Sequence, residues 1–259
     1  KKIDDFEEKY RNQKSTKADL PIKTEEVIRQ LISYAVGCIF GRYRLDKPGL
    51  HIYNNELNSS KIDTYTIKGN NDEEYTFSID ADAIVPMVGS SSWFSDDLVY
   101  SLHEFLKCVW GSEKLSENLN FIKAALGKSL DDYIQNDFWK DHIKRYLKKP
   151  IYWLFSSKEG AFKTLVYMHC MDKYTGQKVR QNYLHPYMDY LRNEIEKLDK
   201  KDMLNSDESK RMDQLRSDLN ECLEYDETLK EVADKQIDFD LDDGVDHNYE
   251  LFGKALAKI

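Results

Sequence analysis

The chain has 259 residues, 41% apolar and 33% charged, enough for one large core or two smaller ones and for long solvated helices. Its longest apolar run, residues 31–40, already contains Ser33 and Gly37, is too short to cross a membrane, and no signal-peptide pattern opens the sequence. The net charge of −9 does not exclude nucleic acid, because residues 202–243 alone hold fifteen acids and five bases and the remainder is nearly neutral.

Lys1, in place of Met, fits a piece of a longer polypeptide, and residues 1–20 read as a linker or short helix. After Pro21, Thr24 with Glu25 and Glu26 marks a helix start. That helix is expected to reach about residue 43 and to bury Val27, Ile28, Leu31, Ala35 and Ile39. Gly37 and Gly41 share a face where another element could come close, and Lys47-Pro48-Gly49 closes the unit. "TYTIKGNNDEEYTFSID" alternates around Gly69-Asn70-Asn71 and predicts a β-hairpin. "AIVPMV" predicts a further strand, pushed to an edge by Pro86.

Helices return after Ser95, the expected cap of "DDLVYSLHEFLKCVWG", which Gly111 ends. A second helix follows Ser116, with Leu119, Ile122 and Leu126 on one face and Gly127 as its stop. Leu130, Tyr133 and Ile134 form one apolar face, whereas Phe138, Trp139, Ile143 and Tyr146 form another on the opposite side. A bend is therefore expected at Asn136-Asp137. "PIYWLFSS" and "AFKTLVYMHC" have strand composition, with a turn at 158–160. A helix from Gln177 to about Lys200 is interrupted at Pro186, and a second runs from Ser206 to about Gln236 with Met212, Leu215, Leu219, Cys222 and Leu229 at near-heptad spacing. "NYELFGKALAKI" closes the chain as an amphipathic segment. The expected fold class is α+β and mainly helical, with small antiparallel β elements and a long antiparallel helical hairpin near the C-terminus. The expected division is 1–20, a mixed α/β body at 21–175, and a hairpin arm with a C-terminal helix at 176–259.

Several chemistries lack their motifs. No two glycines are separated by one residue, no two prolines are adjacent, and there is no phosphate loop, nucleophile elbow or H-E-x-x-H. "DFDLDDG" imitates a calcium loop, but Gly244 is seventh where the sixth is needed, and Tyr249 stands where a glutamate is required. The plainer reading turns Ile237, Phe239 and Leu241 toward a core. His169-Cys170 has no partner pair at zinc spacing, and "ESK" at 208–210 lies in a solvated helix. Cys38, Cys108, Cys170 and Cys222 form no C-x-x-C, as in a reduced cytosolic protein.

The basic stretch "KDHIKRYLKKPIYWLFSS" (140–157) has two readings. On a helix over 137–149, Lys140, Lys144, Arg145 and Lys148 face away from the aromatics. Cations at Lys144, Arg145, Lys148 and Lys149 would suit the helix C-terminus without any ligand. Alternatively they form a phosphate-contacting ridge, with Ser156, Ser157 and Lys158 on a strand turn that reaches a groove. Arg42, Arg44 and Lys47 would form a second basic spot.

"LISYAVGCIFGRYRLDKPGL" (31–50), "KDHIKRYLKKPIYWLFSS" (140–157) and "DLDDGVDHNYELFGKALAKI" (240–259) resemble the C-terminal part of the adenine-specific DNA methyltransferases of BREX phage-defence systems, the PglX family. "SSWFSDDL" and "ENLNFIKAALGKSLDDY" fall between them in the expected order. The resemblance runs from about Leu31 to Ile259 and is weaker over residues 1–30 and 50–83. It implies a parent enzyme of the bacterial cytoplasm that transfers a methyl group from S-adenosylmethionine to the N6 of adenine. The implied partners are double-stranded DNA, the methyltransferase domain of the same chain and other BREX proteins, with no membrane. The family's catalytic motifs match no position here, so no catalytic, cofactor or metal residue is carried over. The acidic hairpin at 177–236 would repel phosphate and is expected to contact protein. The resemblance thus implies a non-catalytic C-terminal domain for DNA target recognition and support; a scaffold that never touches DNA is the rival reading, and a nuclease the third.

Overall fold

A computed structural model of the chain describes residues 23–51, 64–69, 73–89, 94–238 and 240–259. The segment 1–20, the hairpin tip at 70–72 and Phe239 lie outside them.

Helix α1 (Thr24–Ile39) carries Glu25 and Glu26 in its first turn and buries Ile28, Ile32, Ala35, Val36 and Ile39. Val27, expected inside, is 51% exposed. The helix stops short of residue 43 because Gly41 (φ 71°) turns left-handed. The Arg42 N–H then bonds the Gly37 carbonyl and the Gly41 N–H bonds that of Cys38, a Schellman ending. Tyr43 folds back so that its ring lies where a Cβ on Gly37 would be. The close approach foreseen at Gly37 is thus made by the chain's own next turn.

Strands β1 (Thr64–Lys68) and β2 (Glu74–Ser78) form the expected antiparallel hairpin, with Tyr65 opposite Phe77, both buried. A second, antiparallel sheet has the order β3 (Ile84–Pro86), β5 (Lys163–Tyr167), β4 (Tyr152–Ser156). Pro86 is on an edge strand, where a missing N–H costs no ladder bond. The other edge is continued by the C-terminus. Instead of one terminal helix there are helix α9 (Val245–Leu251) and a 3-10 turn (Gly253–Ala255). Leu256 then bridges to Phe155, and the Ala257 N–H donates to the Leu154 carbonyl at 2.8 Å.

The sheet is buried on both faces, which is why its strands read as continuous apolar runs. Tyr152, Leu154, Leu165 and Tyr167 join the core under the N-terminal helices. Trp153, Phe155 and Val166 join the core under the C-terminal hairpin. Helix α2 (Leu98–Trp110) is capped by Asp97, not Ser95. The buried Asp97 carboxylate accepts the N–H groups of Val88, Gly89 and Val99, tying the exit of β3 to the start of α2. Helix α3 (Leu115–Leu126) begins before Ser116, which therefore does not cap it, and ends at the left-handed Gly127. Helix α4 (Leu130–Asn136) is capped by Ser129. Helix α5 (Phe138–Arg145) restarts after Asp137, where the bend was expected.

On the second face, α6 (Thr175–Lys178) leads through a π-helical turn (Val179–Leu184) into α7 (His185–Asp199). The widened turn falls just ahead of Pro186, whose missing N–H and ring cannot fit a regular ladder. Helix α8 (Ser206–Lys235) starts on a capping box between Asn205 and Glu208. It buries Met212, Leu215, Cys222, Tyr225, Leu229 and Val232 against α7 and the sheet, with Leu219 half-buried. Leu241, expected inside, is 41% exposed.

Candidate nucleic-acid interface

Helix α5 positions the basic ridge. Phe138 and His142 are buried on its inner side, and Trp139, Ile143 and Tyr146 are half-buried. His142, which the sequence reading passed over, is the latch. Its Nε2 accepts the Tyr152 N–H at 3.2 Å, and its ring stacks on Tyr152 at 5.0 Å. Burial, and then the nearby Arg42 and Arg145 cations, push its pKa down to about 3, so the imidazole is neutral. Its place four residues after Phe138 on the apolar face was the available signal.

Lys140, Lys144 and Arg145 lie on the exposed side. Arg145 approaches Glu26 at 3.5 Å, and Arg29 pairs with Asp141 alongside. These groups border an open cleft of about 890 Å³ between α1 and α5. The helix expected to run to residue 149 ends at Arg145, so Lys148 and Lys149 stand in the loop beyond it. A helix-dipole role is thereby limited to Lys144 and Arg145. Leu147 and Lys148 take φ of 52° and 65°, and their N–H groups bond the carbonyls of Lys144 and Ile143. Among the described residues Lys140, Lys144, Lys148 and Lys149 form no ion pair.

The second basic spot divides. The Arg42 guanidinium lies 5.5 Å from the Tyr43 ring and 5.7 Å from that of Tyr146, at the end of the ridge. Its Nε is buried and has no hydrogen-bond partner among the described residues. Arg44 is occupied, since it grips Asp46 through two bonds of 2.7 Å, covers the Tyr65 ring and leaves its side chain 10% exposed. Lys47 is exposed beside it.

The strand turn does not present its serines. Ser157 is buried, accepting the Phe162 N–H at 2.9 Å, and Ser156 donates to the Ser157 carbonyl at 2.8 Å. The N–H groups of Glu159, Gly160 and Ala161 all donate to one carboxylate oxygen of Glu221 on α8. The turn is thus clamped by the acidic hairpin, at the far end of β4 from the ridge, about 16 Å away at strand rise. Of Ser156, Ser157 and Lys158 only Lys158 projects, and its ammonium lies 3.4 Å from the likewise exposed Glu159.

The His169 ring lies tilted against that of Tyr167, centroids 5.1 Å apart, and all four cysteines are free. Among the described residues no group of three His, Cys, Asp or Glu side chains is placed to hold a metal, and no helix is long and apolar enough to cross a membrane. What the surface offers is a cationic ridge beside a half-buried arginine, an arrangement suited to binding anions.

No family model matches the chain. Two curated proteins do. One is the adenine-specific methyltransferase BrxX of Escherichia coli O9:H4 (strain HS), 39% identical over 254 residues, which are 90% of this chain and 20% of that protein. The other is the adenine-specific methyltransferase PglX of Lacticaseibacillus casei (strain Zhang), 37% identical over 235 residues, 84% of this chain and 18% of that protein. The chain belongs to the BrxX/PglX family of BREX adenine-specific methyltransferases, as its three long motifs implied. It spans about a fifth of the length of these relatives.

Proposed function

We propose that this chain is the DNA target-recognition and support region of a site-specific DNA N6-adenine methyltransferase used in phage defence, with no chemistry of its own. The observation that carries the reading is the set of exposed lysines, Lys140, Lys144, Lys148 and Lys149, that have no ion-pair partner among the described residues, with Arg42 and Arg145 beside them. Phosphate contacts of this kind fix register on a duplex, and base contacts then specify the site. Lys47 and Lys158 are peripheral to the ridge, while Arg44, Ser156 and Ser157 serve internal bonds. S-adenosylmethionine and the catalytic motifs belong to the methyltransferase domain of the parent enzyme, working in the bacterial cytoplasm. No step of that chemistry is assigned to a residue of this chain.

The acidic outer face of α8 supports a separate contact, with the catalytic domain or another BREX protein. Asp213, Glu224 and Asp234 are outside the ion pairs that join α8 to α7 and to the π-helical turn before it. Reversing these acids should weaken assembly while sparing DNA affinity, and unchanged assembly would remove that assignment. For DNA, changing Lys144, Arg145, Lys148 and Lys149 together to Ala should weaken binding and flatten its dependence on salt. An unchanged salt slope would favour a scaffold that does not contact DNA.

A further inference from the structure

Among the described residues, α1 and α5 both close in Schellman endings, and the two differ at the left-handed position. At the end of α1 the left-handed position is Gly41, the residue type that takes this conformation without cost. At the end of α5 the same position is Leu147, followed by a second left-handed residue, Lys148. An L side chain with a Cβ is disfavoured there. Packing does not compensate, because Leu147 is 84% exposed. Among the described residues nothing packs over this strained leucine, and a strained residue held in place by its surroundings points to a functional contact.

Its neighbours indicate what it meets. Lys144 and Arg145 precede it and Lys148 and Lys149 follow, all exposed. A single apolar tip flanked by cations matches a surface where anions flank apolar slots, as phosphates flank the base steps of duplex DNA. The tip is held by the Leu147, Lys148 and Lys149 N–H bonds to the carbonyls of Lys144, Ile143 and Tyr146, so little ordering remains to be done on contact. We infer that Leu147 is a wedge that enters a base step of duplex DNA and locally unstacks it while the flanking lysines hold the phosphates. This rests on the DNA-contact reading above and adds the residue that deforms the duplex.

The test uses the full-length protein and a pool of mixed-sequence duplexes carrying 2-aminopurine, which brightens when it unstacks. The unaltered protein should raise the fluorescence on binding. Leu147→Ala should lose most of that rise and bind roughly tenfold more weakly, a loss of about 1.4 kcal/mol, with its salt slope unchanged because no charge is removed. Leu147→Met should retain the rise. Leu147→Gly relieves the backbone strain and should melt higher than the unaltered protein, yet lose the rise as Leu147→Ala does. A full rise with Leu147→Ala or Leu147→Gly overturns the wedge. If lysine substitutions flatten the salt slope while Leu147→Ala changes nothing, the wedge fails and DNA contact stands. If the protein shows no DNA binding, both fail. Loss of binding to phosphatidylserine vesicles by Leu147→Ala, with DNA binding intact, would assign the tip to a lipid surface and overturn the proposal.

Discussion

The acidic hairpin and the basic ridge treat charge in opposite ways. Between α7 and α8, Arg211 meets Glu194 and Arg216 meets Asp199, while Arg180 and His185, from the start of the hairpin, converge on Asp226. Beneath them runs an unbroken apolar stripe from Met212 to Val232. On the ridge Lys140, Lys144, Lys148 and Lys149 have no such partners among the described residues. Net charge would have pointed to the hairpin as the electrostatic feature of the chain. Pairing points the other way, because a satisfied ion pair presents less net charge to a partner than an unpaired cation does.

The largest expected effect lies in the stripe. Leu229 is fully buried, so Leu229→Ala should cost about 2–5 kcal/mol in chemical denaturation. Because the hairpin shares its core with Trp153, Phe155 and Val166, the sheet should unfold with it in one transition. Two separate transitions would break the comparison by making the hairpin an independent unit.

A second test concerns the latch beneath the ridge. The folded-state pKa of His142, about 3, lies below its ordinary value of 6.5, so the unfolded chain binds the proton first. Its contribution to stability is complete above pH 6.5. It is lost on acidification down to about pH 3, by about 1.4 kcal/mol per pH unit. His142→Gln should remove this component from the acid side of the stability profile. Asp97, whose pKa burial pushes up to about 6, works in the opposite sense, losing stability as pH rises from its ordinary 3.8 through 6. The two components are separable only by comparing variants. Identical profiles for the two proteins would contradict a neutral, buried His142.

Arg180→Ala sharpens the contrast in pairing. Burial opposes the Asp226 charge, yet hydrogen bonds from Arg180 and His185 hold that carboxyl below its usual range. Removing the two-pronged Arg180 contact should cost about 1–3 kcal/mol, whereas Lys144→Ala, removing an unpaired cation, should change stability by less than about 0.5 kcal/mol. The smallest effect is of opposite sign. Leu147→Gly should stabilise the fold by about 1 kcal/mol, measured by urea denaturation, and a loss of stability would mean that the leucine packs.

Much of the fold was legible because local rules decided it. Gly111 and Gly127 ended their helices, Pro86 sought an edge, and the change of apolar face at Asp137 marked a bend. The misplaced boundaries have physical causes. Ser95, Asp96 and Asp97 are all competent caps, and the choice fell to Asp97 because its carboxylate also reaches Val88 and Gly89. The end of α5 was read four residues late because nothing at Leu147 announces a left-handed turn, as Gly41 does for α1. The candidate site was half legible. Composition identified the cations, but their availability is a property of tertiary structure. Arg44 is taken by Asp46 two residues away, while the turn at 158–160 is taken by Glu221, sixty-two positions from Glu159, beyond any local rule.

The most direct test compares the salt dependence of DNA affinity for two variant sets. One replaces Lys140, Lys144, Lys148 and Lys149 with Ala. The other replaces the hairpin cations Lys210, Arg211, Arg216 and Lys230 with Ala. If the ridge meets phosphate, the first set should lower the slope of log affinity against log salt by about 0.9 per lost contact, and the second should leave it unchanged. Equal slopes in both sets and in the unaltered protein would contradict a DNA-contacting ridge.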